Sequence, residues 1–269
     1  MTATAGRTIR VRGGELHYVE AGVGPDLIWL PGGNDHAELV LHAQRGLLDS
    51  YHLIAIDPRG QGRSHAPTDP DLYAGPHHVD DLLGVLDALG LQQPLLGGHS
   101  RGSRTVIEFA AAHPDRARAV VAVCVPALGG TRGHSVRHHA AAARLREEGL
   151  EAFLKSSRTG PRHPERRALW EARLRAIGQE ALAVQYEALA RRGFRAEELH
   201  DYHVPTLVIT GERDHLRGDC EALVEAIPAI EFLVVPGAAH APMTENAEVY
   251  YGAVRPFLAR HAAPAGPAQ

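Results

Sequence analysis

Apolar residues recur along this chain in two rhythms. Short runs of four to seven residues alternate with longer stretches in which apolar positions return every three or four residues. The short runs are Leu27-Ile28-Trp29-Leu30, His52-Leu53-Ile54-Ala55-Ile56, Pro94 to Gly97, Ala119 to Val125, Thr206 to Thr210 and Glu231 to Val235. They predict strands covered on both faces. Val79, Leu82, Leu83, Leu86 and Leu89 share one helical face that stops at Gly90, and Thr105, Val106, Phe109 and Ala110 share another that stops at His113-Pro114. Thr8 to Arg12 and Glu15 to Glu20 flank Gly13-Gly14 in a hairpin pattern. Alternating strand and helix predicts an α/β fold with a mainly parallel sheet flanked by helices.

The rhythm changes near Ala127. Residues 128–194 predict helices around Leu145 to Leu154, Leu169 to Ile177 and Leu182 to Leu189, with no strand between them. Strand signals then resume, so this stretch reads as a helical insertion in one domain made of residues 1–127 and 195–261. Residues 262–269 read as a flexible Ala/Pro/Gly tail. Val249, Ala253, Phe257 and Leu258 predict a closing amphipathic helix, with Pro256 predicting a kink or an early end.

Composition narrows the function. A chain of 269 residues with 44% hydrophobic content suffices for a substantial core. No apolar run approaches the roughly 20 residues that span a bilayer, and the N-terminus lacks the charged-then-apolar pattern of a leader; a cytoplasmic protein without a membrane partner is expected. Cys124 and Cys220 lie in a strand-like run and a probable helix, as buried small hydrophobes rather than a disulfide. A net charge of -4 gives no reason to expect nucleic acid. Lys155 is the only lysine, which argues against a Walker-type phosphate loop and a lysine Schiff base. Neither His77-His78 nor His138-His139 has the spacing of a zinc site, so neither metal nor cofactor is expected. The chain carries no signal for an oligomeric state.

One motif organises the chemistry. Gly98-His99-Ser100-Arg101-Gly102 falls between a strand and a helix, the setting of a nucleophile elbow. Small flanking residues let strand and helix pass closely, presenting the Ser100 hydroxyl and aiming the Arg101 N–H at a developing oxyanion. Two further candidates follow later strands, Asp214 in Gly211-Glu212-Arg213-Asp214 and His240 in Pro236-Gly237-Ala238-Ala239-His240. Loops after parallel strands converge on one sheet edge. A serine hydroxyl needs a base such as His240, and a carboxylate such as Asp214 fixes the imidazole tautomer. Glu212, in the same turn, is the alternative acid.

These motifs, with Asp57-Pro58-Arg59-Gly60-Gln61-Gly62-Arg63-Ser64, resemble the α/β-hydrolase superfamily over nearly the whole chain. Within it, the single insertion and Leu145-Arg146-Glu147-Glu148-Gly149-Leu150-Glu151-Ala152-Phe153 look most like the β-ketoadipate enol-lactonase and carboxylesterase branch. The resemblance implies the α/β-hydrolase fold with a helical cap, and a cofactor-free serine hydrolase with a catalytic triad. Its partner would be a small-molecule ester or lactone. Haloalkane dehalogenases and epoxide hydrolases resemble the chain too, but those families place an aspartate where Ser100 stands. The resemblance also implies a second oxyanion donor in the loop after Leu30, usually beside a His-Gly pair; here Pro31-Gly32 replaces that pair. Gly33 is the expected donor, with Gly32, Asn34 and His99 as substrate contacts. The Asp57 to Ser64 stretch reads as a structural turn near the site.

Two alternatives stand beside the hydrolase: a lyase or cyclase that uses the site without an acyl intermediate, and a ligand-binding module with little turnover. The insertion carries twelve Arg and one Lys against seven Glu. Such an excess belongs either to solvated helix faces or to arginines that hold a substrate carboxylate.

Overall fold

A computed structural model describes residues 6–126, 132–157, 160–161, 163–191, 199–227 and 230–262, with backbone alone at 132–135 and 191. The tail expected at 262–269 lies outside them apart from Ala262, as do both ends of the 128–194 insertion.

Eight strands form one sheet. β1 (Arg7–Val11) and β2 (Gly14–Ala21) make the expected hairpin, with Val11 opposite Gly14. β2 pairs antiparallel with β4 (His52–Ile56). From there the sheet is parallel: β3 (Asp26–Leu30) lies beside β4, followed by β5 (Leu95–His99), β6 (Ala119–Val123), β7 (Thr206–Gly211) and β8 (Glu231–Val235). Because β4 and β5 flank β3 on opposite sides, chain order reverses at β3. The loops leaving the carboxyl ends of β3 and β5 therefore open a crevice, the place where such sheets bind ligands.

Side chains of each strand alternate between two cores. Ile28, Ile54, Leu96, Val120 and Val208 face α2 (Gly75–Ala88), α3 (Arg101–Ala112) and α8 (Arg217–Ala226). Leu27, Trp29, Leu53, Val121 and Ile209 face α1 (Ala37–Ala43) and α10 (Ala247–Ala262). The short α9 (Pro242–Glu245) precedes α10. Trp29 pairs with Gly97 across the β3–β5 ladder, and its ring occupies the space that a side chain at Gly97 would need.

Between β6 and β7 lie α4 (Arg132–Glu148), α5 (Leu150–Ser156), α6 (Pro164–Ile177) and α7 (Gln179–Arg191). Leu145, Phe153, Leu154, Trp170, Leu174 and Leu182 give these helices a core of their own, with Leu39 of α1 packed against it. Val184 and Ala188 of α7 pack on Tyr73 from the loop after β4. These contacts lay α7 over the sheet edge where the crevice opens.

Of the two sequence expectations for Pro256, a kink or an early end, the early end does not occur: α10 continues to Ala262. Tyr250 and Val254 before the proline and Phe257 and Leu258 after it are all buried on the sheet. Gly252, four residues earlier, is exposed, so water can satisfy the carbonyl that the proline leaves without a donor.

The elbow and this helix give opposite expectations for glycine replacement. A Cβ at Gly98 would lie 2.4 Å from the Gly102 carbonyl carbon, which is backbone. Gly98→Ala should therefore lower stability by on the order of 1–3 kcal/mol. A Cβ at Gly252 meets nothing within 4 Å, and Gly252→Ala should raise stability by about 0.5–1 kcal/mol. Urea titration of both variants reads the pair; an unchanged midpoint for Gly98→Ala contradicts the close packing at the elbow.

Candidate active site

Ser100 sits between β5 and α3 with φ 50° and ψ -117°, outside the regions an L-residue prefers. Such a conformation costs on the order of 1–3 kcal/mol and needs surroundings that enforce it. The Ser100 N–H donates to the Val123 carbonyl at 2.7 Å, and the Ser100 carbonyl accepts from the Arg104 N–H at 3.2 Å. A Cβ at Gly102 would lie 2.3 Å from the Leu30 carbonyl oxygen, so only glycine lets α3 start this close to β3. The first amides of α3, Arg101 included, have no acceptor within the helix and gather beside Ser100.

Asp214 and His240 meet at the ends of β7 and β8. His240 Nδ1 stands 3.0 and 3.1 Å from the two Asp214 carboxylate oxygens. Backbone bonds from Glu212 N–H to Val235 and from Arg213 N–H to Ala238 hold the two loops side by side. Burial alone would raise the Asp214 pKa, but hydrogen bonds from His215 and His240 outweigh it and hold the carboxyl well below the usual range. The Leu216 N–H at 3.2 Å is a further donor. Glu212, the other acid in the turn, is committed elsewhere: it accepts the Gly237 N–H at 2.8 Å.

Three neighbours brace His240 that the sequence did not single out for this task. His99 Nε2 donates to the His240 carbonyl at 2.7 Å, and its ring centroid is 4.8 Å from that of His240. His99, read from the sequence as a substrate contact, thus spends its ring donor on the backbone of the histidine loop. Burial, followed by the nearby His240, lowers its pKa to about 3, so the ring stays neutral. The His215 ring packs on His240 as well, with centroids 5.0 Å apart. Cys124, buried and at φ 54°, reaches the same His240 carbonyl with Sγ at 3.6 Å. It supports the site as well as filling the core.

The candidate metal-ligand atoms here form two overlapping groups, His99 with Cys124 and His240, and Asp214 with His215 and His240. The hydrogen bonds just described already occupy His240 Nδ1 and His99 Nε2, and burial pushes the Cys124 thiol well above its ordinary pKa, away from the thiolate a metal takes. The donor chemistry fits a hydrogen-bonded cluster better than an ion site.

Without the His-Gly pair, the loop after Leu30 depends on the Asp57 to Ser64 turn. Gln61 Nε2 donates to the carbonyls of Gly32 at 2.7 Å and Asp35 at 3.0 Å. The buried Asp57 carboxylate accepts the Ala37 N–H at 2.6 Å and the Arg63 N–H at 3.0 Å. At the loop's tip Asn34, with φ 65°, donates to the Tyr186 hydroxyl on α7. A Cβ at Gly32 would lie 3.5 Å from Ser100 Cβ, and one at Gly33 would lie 3.7 Å from Arg101 Nη2. Gly32 and Gly33 thus pass beside the elbow, while the Asn34 side chain tethers the loop to α7.

Five of the insertion's twelve arginines pair with glutamates among the described residues. Arg144 pairs with Glu148, Arg146 with Glu180 and Glu187, Arg167 with Glu171, and Arg175 with Glu151 and Glu171. Arg173 reaches down from α6 to Glu38 beside α1 at 2.9 Å. Of the two expectations for these five arginines, paired faces fit and carboxylate-holding groups do not.

Comparison with known proteins agrees with this architecture. Residues 25–155 match the family model for the alpha/beta hydrolase fold. An enol-lactonase from Burkholderia xenovorans LB400 is similar with a TM-score of 0.81 at 25% identity, over 94% of this chain and 100% of that one. Among curated proteins, an epoxide hydrolase from Caballeronia sordidicola is 37% identical over 144 residues, 53% of this chain and 42% of that protein. The chain spans about two fifths of the length of the first epoxide hydrolases it matches. A 2-(acetamidomethylene)succinate hydrolase from Mesorhizobium japonicum is 27% identical over 256 residues, 90% of this chain and 91% of that protein. Fold and site geometry define an α/β protein with its candidate groups at the carboxyl edge of a parallel sheet. The chain has the alpha/beta hydrolase fold. No described helix is long and apolar enough to cross a membrane.

Asp35 supplies a pH test of the site's electrostatics. Burial raises its pKa from 3.8 to about 6, against the opposing influence of His36, His240 and Arg101. With the folded pKa above the unfolded one, its contribution to stability is complete below about pH 4 and is lost as pH rises through about 6. Asp35→Asn should therefore raise stability near pH 8 by on the order of 1–2 kcal/mol, allowing for the partial exposure of this residue. Thermal melts should show that gain shrinking toward zero near pH 4; a gain independent of pH contradicts the buried charge.

Proposed function

We propose that this chain is a cofactor-free serine hydrolase that cleaves a small or medium carboxylic ester or lactone through an acyl-enzyme. The observation that carries this reading is the strained Ser100 at the strand-to-helix elbow, on the same sheet edge as the bonded Asp214–His240 pair. Ser100 Oγ attacks the carbonyl carbon while its proton passes to His240 Nε2. Asp214, bonded to Nδ1, keeps the imidazole in the tautomer that accepts this proton and stabilises the resulting cation.

The carbonyl oxygen then carries the negative charge. The Arg101 and Gly33 N–H groups receive it, a contribution of roughly 3–4 kcal/mol per donor in one measured case. His240 returns the proton to the departing alkoxide as the C–O bond breaks. Water repeats the attack on the acyl-enzyme, giving its proton to His240, which hands it back to Ser100.

The epoxide hydrolase relatives favour hydrolytic chemistry, but Ser100 occupies the position where that family's nucleophilic aspartate would stand. Likeness to an enol-lactonase along the whole chain supports the ester or lactone as substrate.

A fluorophosphonate probe followed by mass spectrometry should label Ser100 in the native chain and leave Ser100→Ala unlabelled. Ser100→Ala and His240→Ala should each lower ester turnover by several orders of magnitude with the fold intact. Asp214→Asn should lower it by about 10⁴, because an amide selects the wrong tautomer. Glu212→Gln should stay close to the parent. An unlabelled but folded protein would overturn the reading in favour of a lyase, a cyclase or a binding module. An inactive Glu212→Gln beside an active Asp214→Asn would move the acid.

A further inference from the structure

The backbone of Arg101 has a place in the mechanism above, but its side chain does not. The residue retains only 8% of its exposure, and among the described residues its Nε and Nη2 have no acceptor. Its remaining hydrogen bond is a long one, from Nη1 to Gln185 Oε1 on α7 at 3.3 Å. A buried cation with unpaired N–H groups is strongly unfavourable, since it gives up hydration without replacing it.

The same chain shows how a buried guanidinium is ordinarily satisfied. Arg59 donates from Nε and Nη2 to the two oxygens of Asp81, each at 2.7 Å, and from Nη1 to the Leu72 carbonyl at 2.8 Å. Nε and Nη2 form the parallel two-donor edge of the group, whose spacing matches a carboxylate. On Arg101 this is the edge without a partner.

Its position links it to the reacting groups. Nη2 lies beside Gly33, in the loop whose Gly32 passes Ser100, and the Asp35 carboxyl is influenced by both His240 and Arg101. Asp35 is an acid whose charge acts on Arg101, yet it makes no bond to the unpaired edge of that side chain. Arg146, Arg173 and Arg175 of the insertion, another source of positive charge, are paired with glutamates.

We propose that the Nε and Nη2 edge of Arg101 is a subsite for a carboxylate carried by the substrate, so that the preferred substrates are acidic esters or lactones. The inference rests on the serine-hydrolase reading and specifies its substrate class. The carboxylate takes two charge-assisted hydrogen bonds, while the neighbouring Arg101 N–H serves the scissile carbonyl. Asp35 opposes this binding as a like charge.

The test compares mono-4-nitrophenyl glutarate with its neutral counterpart 4-nitrophenyl 5-oxohexanoate. The native protein should favour the acidic ester in kcat/KM by about tenfold or more. The preference should survive high salt, since a buried charge is weakly screened. Arg101→Met should bring the ratio close to one, Arg101→Lys should keep part of it, and Asp35→Asn should increase it. Equal efficiencies in the native protein, or an unchanged preference in a folded Arg101→Met, would overturn the subsite.

A second measurement needs no variant. Glutarate should slow fluorophosphonate labelling of Ser100, and neutral 2,6-heptanedione at the same concentration should not. Equal effects of the two compounds would overturn the subsite. Labelling without acidic preference removes only the subsite, whereas failure to label Ser100 in the native chain removes the serine-hydrolase reading itself.

Discussion

Everything at the sheet edge depends on how closely β5 and α3 pass β3. Gly98 packs against the backbone of Gly102, and Gly102 against the carbonyls of Leu30 and Pro31. These contacts leave no room for side chains, and they turn the chain so sharply that Ser100 must adopt φ 50°. The strain is held by ladder hydrogen bonds on both sides, since β5 pairs with β3 and β6 along its length. Relaxing it would separate the serine from both the helix N-terminus and the loop after Leu30. Rigidity of the sheet and presentation of the hydroxyl are thus one constraint.

A second layer of polar contacts carries that order outward. Gln61 holds the loop after Leu30 by two carbonyls, and Asp57 accepts the first N–H of α1. Arg59, from the same turn, is clamped by Asp81 of α2. Gln185 of α7 donates to the Gly60 carbonyl and accepts from Arg101. Elbow, loop, turn and α7 therefore form one connected network. Buried amides with defined partners specify a single arrangement more sharply than apolar packing does, so the insertion is registered over the site by direction as well as by burial.

The sheet was legible in the sequence because each strand has the period and length of a doubly covered strand, and the punctuating glycines fall at the turns. Ser100, Asp214 and His240 were legible because each follows such a strand within a recognisable turn. Gln61 was hidden: a glutamine between glycines gives no sign that it holds the loop after Leu30, since the contact spans 29 residues. His99 and His215 were hidden for a related reason. Adjacent to a candidate residue in sequence, each gains its role only when β7 and β8 bring the His240 loop against them. The early end allowed for at Pro256 did not occur because burial on both sides of the proline holds the helix together, which the sequence pattern does not report. The arginine excess could not by itself separate its two uses, since a count says nothing about which glutamates lie opposite.

Two carboxyl groups near His240 show what separates a dependable anion from a reluctant one. Both Asp35 and Asp214 lose hydration on folding, and in both burial is the leading influence on the pKa. They diverge because Asp214 accepts hydrogen bonds from His215, His240 and the Leu216 N–H, whereas Asp35 has only the more distant influence of His36, His240 and Arg101. Asp214 is consequently held well toward its ionised form, while the Asp35 pKa is pushed up to about 6. Only the first can offer an imidazolium a constant negative partner. Asp35, which feels both His240 and Arg101, makes the charge beside them depend on pH. Direct hydrogen bonding, more than depth, decides which of two buried acids keeps its charge.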